Sequence, residues 1–162
     1  MLVLNRPEVE ALLDLNQLVE ALAPAMAELS AGAVSMPPRV AAMVCDRGGL
    51  LGVMPAYLPS SKTLAVKLVS IFPGNASLDL PTHQAVVAIF DAATGACLAL
   101  MDGTYITAAR TAAGSALATR LLARPDADIL LIVGTSVQAR MHARMIPGVR
   151  AVPSGGLLGT DW

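Results

Sequence analysis

Apolar positions recur along the 162-residue chain at three different spacings. Leu2–Leu4 is a short apolar run that predicts a strand. Behind Asp14, with Gln17 three residues on as a capping-box partner, Leu15, Leu18, Val19, Leu22, Met26 and Leu29 fall at helical spacing. Gly32 is the expected stop. Pro24 inside this pattern lacks a backbone donor and predicts a kink or a split.

The period then changes. Val40–Cys45 and Leu50–Tyr57 flank Asp46-Arg47-Gly48-Gly49 and predict a hairpin. Leu64–Phe72, Ala85–Phe90 and Cys97–Met101 predict three more strands, separated by Pro73-Gly74-Asn75 and by Asp91–Gly95. Short polar turns between them imply a mostly antiparallel sheet. From Thr104 to Ala123 the pattern is helical and rich in small residues, up to the break at Arg124-Pro125-Asp126. Asp128–Val133 is nearly continuous apolar sequence, as in a strand buried on both faces. Gly134 follows, then a helical stretch Val137–Met145. From Pro147 to Trp162 no period is visible and an irregular tail is expected. These breaks predict three segments: 1–123, 124–146 and 147–162.

Composition narrows the function classes. Hydrophobic residues make up 55% and charged ones 14%, enough apolar material for a core. With net charge −1 and scattered Lys and Arg, neither nucleic acid nor a membrane surface is an expected partner. Mean hydropathy is high, +0.63. Yet Ala85–Met101 is interrupted by Asp91, Thr94 and Gly95, and Ile129–Val133 is too short to span a bilayer. Met1–Glu10 carries no signal-peptide core, so the expected location is cytoplasmic. Cys45 and Cys97 lack a CxxC spacing and are expected as buried, reduced thiols.

Four features could carry chemistry. Gly134-Thr135-Ser136-Val137-Gln138-Ala139 follows a strand and opens a helix, where a dinucleotide fingerprint presents free N–H groups to a pyrophosphate. The first glycine and the final alanine fit the pattern, Ser136 replaces the middle glycine, and an ordinary strand–turn–helix explains the segment as well. Asp161 lies too far on to serve as the acidic residue that holds a ribose. Lys67, inside Ala65–Val69, either points to water or lines a pocket where desolvation lowers its pKa. Arg39 and Arg110 are candidate carboxylate clamps, or else surface arginines. Thr82 and His83 occupy a turn, and His142 is expected on a helix surface. No pair of histidines supports a metal site.

Taken together, these segments resemble the ornithine cyclodeaminase/mu-crystallin family. The resemblance is carried by Met36-Pro37-Pro38-Arg39, Met54-Pro55-Ala56-Tyr57, Lys67-Leu68-Val69-Ser70 with Pro73-Gly74-Asn75, and Leu80-Pro81-Thr82-His83-Gln84. The turn Asp91–Gly95, the long run Met101–Ala113 and the glycine turn follow in order. The resemblance implies an α/β chain: an α+β substrate-binding and dimerisation domain with a mostly antiparallel sheet, followed by the truncated start of a Rossmann domain for NAD or NADP. It implies that Arg39, Lys67, Thr82 and Arg110 face the substrate, with Lys67 catalytic and handling protons near the reacting carbon. Thr111, Gly134, Thr135, Ser136 and Val137 match positions near the cofactor phosphates. The implied activity is conversion of ornithine to proline and ammonia through an imine. Relatives include cyclic imine reductases, alanine dehydrogenases and thyroid-hormone binders. The implied partners are a small amino acid or cyclic imine and a second copy of the chain. One strand and one helix do not complete a dinucleotide site, so the isolated chain is expected to be a non-catalytic dimerisation or ligand-binding fragment.

Overall fold

The computed structural model describes residues 1–158. Two compact units are present: Met1–Leu12 with Ala27–Ile106, and Leu13–Met26 with the chain from Thr107 onward. The chain changes unit three times, once just after Leu12 and twice inside helices, at Met26/Ala27 and Ile106/Thr107, whereas the sequence places its first break after Ala123.

The first unit is built on a six-stranded sheet. Its strands are β1 (Leu2–Leu4), β2 (Val40–Val44), β3 (Gly49–Leu58), β4 (Thr63–Ile71), β5 (His83–Asp91) and β6 (Cys97–Asp102), in the order β1-β6-β5-β4-β3-β2. Every pairing is antiparallel except β1 with β6. The sequence missed a short helix, α1 (Arg6–Leu12). Its signal was present as a capping box: the Glu8 N–H donates to Asn5 Oδ1 at 3.1 Å and the Asn5 N–H donates to Glu8 Oε2 at 2.8 Å.

Pro55 sits within β3, opposite Val66 of β4. Alternate residues of a strand aim their N–H groups the same way, and the Tyr57 N–H donates to the Ser35 carbonyl on the β2 side. Pro55 therefore lacks its donor on that side too, and β2 has already stopped at Val40, opposite Val53. The junction from β6 into helix α3 (Gly103–Leu122) requires a glycine, because a Cβ on Gly103 would lie 2.9 Å from the Ala85 carbonyl carbon and 3.0 Å from the Val86 nitrogen. The Ala85 N–H donates to Thr104 Oγ1 at 3.1 Å, and Asp102 Oδ1 accepts the Tyr105 N–H at 2.9 Å. The start of α3 is thereby seated on β5.

The second unit contains most of helix α2 (Leu15–Ser30) and α3, followed by strand β7 (Ile129–Val133), helix α4 (Val137–Met145) and strand β8 (Ser154–Leu158). Asp14 caps α2 as expected, with Oδ1 accepting the Asn16 and Gln17 N–H groups at 2.8 and 2.9 Å. The helix runs unbroken through Pro24, losing one backbone bond but not splitting. Ala109, Ala112, Ala113 and Ala116 of α3 are fully buried, the close approach that side chains of this size permit. Arg150 ties the end of α3 to the loop beyond by donating to the Ala123 and Pro125 carbonyls, both at 3.2 Å.

Two expectations change here. β7 is a strand, but it is not buried on both faces: Ile129, Leu131 and Val133 remain 74%, 60% and 81% exposed. The segment read as an irregular tail contains β8, which pairs in parallel with β7 from Ile129↔Ser154 to Val133↔Leu158. Gly155 and Gly156 gave this strand no readable period. The result is a β7–α4–β8 unit, a crossover between parallel strands. Asp161 lies outside the described residues. Cys45 is exposed and Cys97 half-buried, both free, so the expected burial of Cys45 is corrected.

Candidate functional site

In the first unit, the register of the sheet determines which side chains share a face. Lys67 lies at the middle of β4, half-buried, with Met54 of β3 and Val87 of β5 as its direct neighbours. Arg39 immediately precedes Val40, whose partner Val53 precedes Met54. The pairing of β2 with β3 ends there, so Arg39 lies just beyond the edge strand, near the Val53–Met54 part of β3.

Thr82 is placed differently. Its carbonyl accepts the Phe72 N–H at 2.9 Å, just beyond the β4–β5 pairing. That is five residues along from Lys67, roughly 17 Å at the strand rise, so the structure does not bring Thr82 beside the lysine. The loop carrying it is closed by Asn75, whose Nδ2 donates to the Pro81 carbonyl at 2.9 Å and whose carbonyl accepts the Leu80 N–H at 3.0 Å.

In the second unit, Arg110 and Thr111 lie on α3, Arg110 exposed and Thr111 half-buried. The Thr111 hydroxyl donates to the Thr107 carbonyl one turn back, at 2.7 Å. A phosphate contact from Thr111 requires that hydroxyl to turn away from the helix. The second unit also holds a pair that periodicity did not reveal. Ser115 Oγ lies 2.9 Å from His142 Nε2, and His142 Nδ1 lies 2.7 Å from the Gln138 carbonyl. A carbonyl only accepts, so Nδ1 carries the proton; in the neutral ring Nε2 is then the acceptor for the serine hydroxyl, which also lies 3.4 Å from the Thr111 carbonyl. His142, expected on a helix surface, instead is half-buried and couples α4 to α3. Its partner is 27 residues away in sequence, beyond the reach of any local pattern.

The turn between β7 and α4 has the geometry of an anion site. Gly134 adopts φ +117°, with open space where a Cβ would stand. The Val137 and Gln138 N–H groups open the first turn of α4, where no carbonyl inside the helix can reach them. Thr135, Ser136 and Val137 are exposed around them. One residue fits the cradle poorly: Ser136 presents a side chain where the dinucleotide pattern has glycine.

An antiparallel sheet with a central lysine in the first unit, and a β–α–β unit whose turn opens a helix in the second, make this an α/β chain. The chain belongs to the ornithine cyclodeaminase/mu-crystallin family, whose model matches residues 1–153. A ketimine reductase mu-crystallin from Mus musculus is 48% identical over 111 residues, covering 68% of this chain and 36% of that protein. The Thermococcus litoralis Δ1-pyrroline-2-carboxylate reductase, solved in complex with NADH and L-proline, superposes with a TM-score of 0.93 at 39% identity, over 99% of this chain and 50% of its own. An archaeal alanine dehydrogenase dimer with bound NAD gives 0.90 at 30% identity, over 98% of this chain and 48% of its own. The chain spans half, or less, of the length of these relatives. Family members use NAD(P), and these solved relatives hold NAD or NADH.

Proposed function

We propose that this chain carries the substrate-side machinery of an NAD(P)-dependent reductase of cyclic imino acids, the Δ1-pyrroline-2-carboxylate class. The observation that carries the proposal is the agreement of two relatives as distant as a mouse and an archaeal protein, both reductases of imines, beside a lysine, Lys67, at the middle of the sheet. Cyclodeaminase chemistry, the first expectation from the family, runs the hydride both ways. The relatives named here favour the simpler reduction.

In this reading residues 1–123 form the substrate and dimerisation part, and 124–146 begin the cofactor part, which β8 extends. By the family resemblance Arg39 and Arg110 are each carboxylate-binding residues, a role that the planar fork of a guanidinium suits. Lys67 supplies the proton that the imine nitrogen takes as it becomes an amine. NAD(P)H, when bound at the turn Gly134–Val137 near Thr111, supplies the hydride to the adjacent carbon. Holding both reactants in place accounts for much of the expected acceleration. Among the described residues no helix is long and apolar enough to cross a membrane.

Dimerisation is proposed through the sheet face opposite Lys67. There Val40, Val53, Leu68 and Val86 are register neighbours in one row across four strands. Val40 is 63%, Val86 42% and Leu68 36% exposed. Such a row of apolar side chains is what a second copy buries.

The test is NADH oxidation with Δ1-pyrroline-2-carboxylate, run beside ornithine with NAD, together with calorimetric titration of L-proline. The expected result is saturable proline binding that Lys67→Met weakens at least tenfold, with an unchanged circular dichroism spectrum, and imine-dependent oxidation wherever turnover occurs. Ornithine-to-proline conversion without imine reduction would replace this reading with the cyclodeaminase one. No proline binding at all would remove it.

A further inference from the structure

The first turn of α4 departs from the dinucleotide pattern at one residue, and that residue has another occupation. Ser136 adopts φ −64° and ψ 172°, a conformation open to any residue, so the backbone itself does not call for glycine. Its Oγ accepts the Ala139 N–H at 3.4 Å. Serine is therefore the N-cap of α4, supplying an acceptor to one of the donors that the helix start leaves open.

A glycine at this place leaves the backbone bare, so that a pyrophosphate approaches the first-turn N–H groups directly. Here an arriving phosphate meets a Cβ and a hydroxyl oxygen whose lone pairs already serve one of those donors. We propose that Ser136 determines cofactor affinity in this chain: its side chain and the cofactor pyrophosphate compete for the amino-terminal end of α4. The inference rests on the reading above that this turn receives NAD(P).

The geometry also limits the competition. At 3.4 Å the cap is long for a hydrogen bond and is readily given up. The Val137 and Gln138 N–H groups are not engaged by the serine, so the turn keeps two donors for an anion. Serine thus weakens binding without abolishing it. Gly134, at φ +117°, keeps the backbone path that brings the chain from β7 into the turn.

Competition has a signature that a merely structural cap lacks. Removing the hydroxyl must loosen the helix in the absence of ligand and tighten the cofactor at once, so the two effects move in opposite directions. Ser136→Ala removes the competing oxygen and leaves the Cβ; Ser136→Gly removes both.

The experiment uses the full chain and its two variants, titrated with NADH by fluorescence and with inorganic pyrophosphate as competitor. Thermal midpoints are recorded with and without saturating NADH. We expect Ser136→Gly to bind NADH about tenfold more tightly, with Ser136→Ala between it and the parent. Both variants should melt lower than the parent without ligand, and the difference should shrink or reverse with NADH present. Equal or weaker NADH binding by Ser136→Gly, beside measurable binding by the parent, overturns this inference and leaves the cofactor reading standing. Weaker binding by Ser136→Ala than by the parent makes the hydroxyl a phosphate donor and overturns the competition. No binding by any of the three chains overturns both the inference and the cofactor reading.

Discussion

β4 and β7 have the same look in the sequence, short runs of valine, leucine and isoleucine between turns, yet their surroundings differ. β4 is paired on both edges, along its whole length by β3 and β5, and Val69 within it is 3% exposed. Among the described residues β7 has one partner, β8, and three of its five side chains are more than half exposed. An apolar run thus specifies that a strand forms, through β-branched side chains and flanking turns. Whether the strand is buried depends on the neighbours it finds. In the first unit those neighbours, β1 apart, are the strands next in sequence. In the second, the strand that pairs with β7 arrives only after a helix, and it covers an edge, not a face.

The largest effect that sharpens this contrast is expected where the first unit is tightest. Gly103→Ala would drive a methyl group to within 2.9 Å of backbone atoms at Ala85, which cannot move without shifting β5. Overpacking of this kind costs about 2 to 3 kcal/mol. In a domain of this size the thermal midpoint should fall by about 4–10 °C. A midpoint unchanged within error would mean that α3 is not seated on β5 in solution.

A matched pair of substitutions then tests the comparison itself. Val69 lies between Gly52 and Ala85, its register neighbours on either side, and fills space that neither can. Val69→Ala should cost about 2 kcal/mol from lost burial and the cavity left behind. Val133→Ala, at a position 81% exposed, should stay within about 0.5 kcal/mol of the parent. Urea unfolding of the two variants measures both. Equal costs would show that β7 is covered in solution, and the contrast drawn above would fail.

A smaller effect belongs to the joint between α3 and α4. Ser115→Ala removes the hydroxyl that donates to His142 Nε2 and leaves a half-buried ring nitrogen without that donor. The expected loss is about 1 kcal/mol. NMR of the imidazole should show the tautomer less sharply defined, because the remaining bond from Nδ1 to the Gln138 carbonyl then acts alone. A ring signal identical in the variant would mean that the serine does not hold it.

How far the sequence reaches follows the same division. Strand ends in the first unit lie within two residues of where the turns predicted them, because each turn residue acts on its own neighbours. Asp14 and Gly32 marked α2 for the same reason. What stayed hidden depended on contacts between distant residues. Lys67 could be placed in a strand, but its company, Met54 and Val87, appeared only with the register. β8 could not be read because Gly155 and Gly156 carry no pattern, and its place is set by β7. The Ser115–His142 pair joins two helices that no periodicity connects. α1 is the exception: Asn5 and Glu8 stated a capping box that the sequence reading passed over.

The smallest effect expected is at the β5–β6 turn, the most local structure of all and the extreme of the first unit's character. Asp91 Oδ1 accepts the Thr94 hydroxyl and the Thr94 N–H, both at 2.7 Å, and the Ala93 N–H at 3.1 Å. The bond from the Thr94 hydroxyl, reinforced by the Thr94 and Ala93 N–H groups, holds this carboxyl below the usual carboxylate range. These bonds favour the ionised form, so the folded pKa is lower than the unfolded one. The stability they contribute is therefore fully present above an unfolded value of about 3.9. It is lost as pH falls through the depressed folded value. The thermal midpoints of the parent and of Asp91→Ala should differ by a constant amount from neutral pH down to about 5, and approach each other below about 4. A difference that widened in acid would reverse the sign and show that the turn is held by something other than this carboxylate.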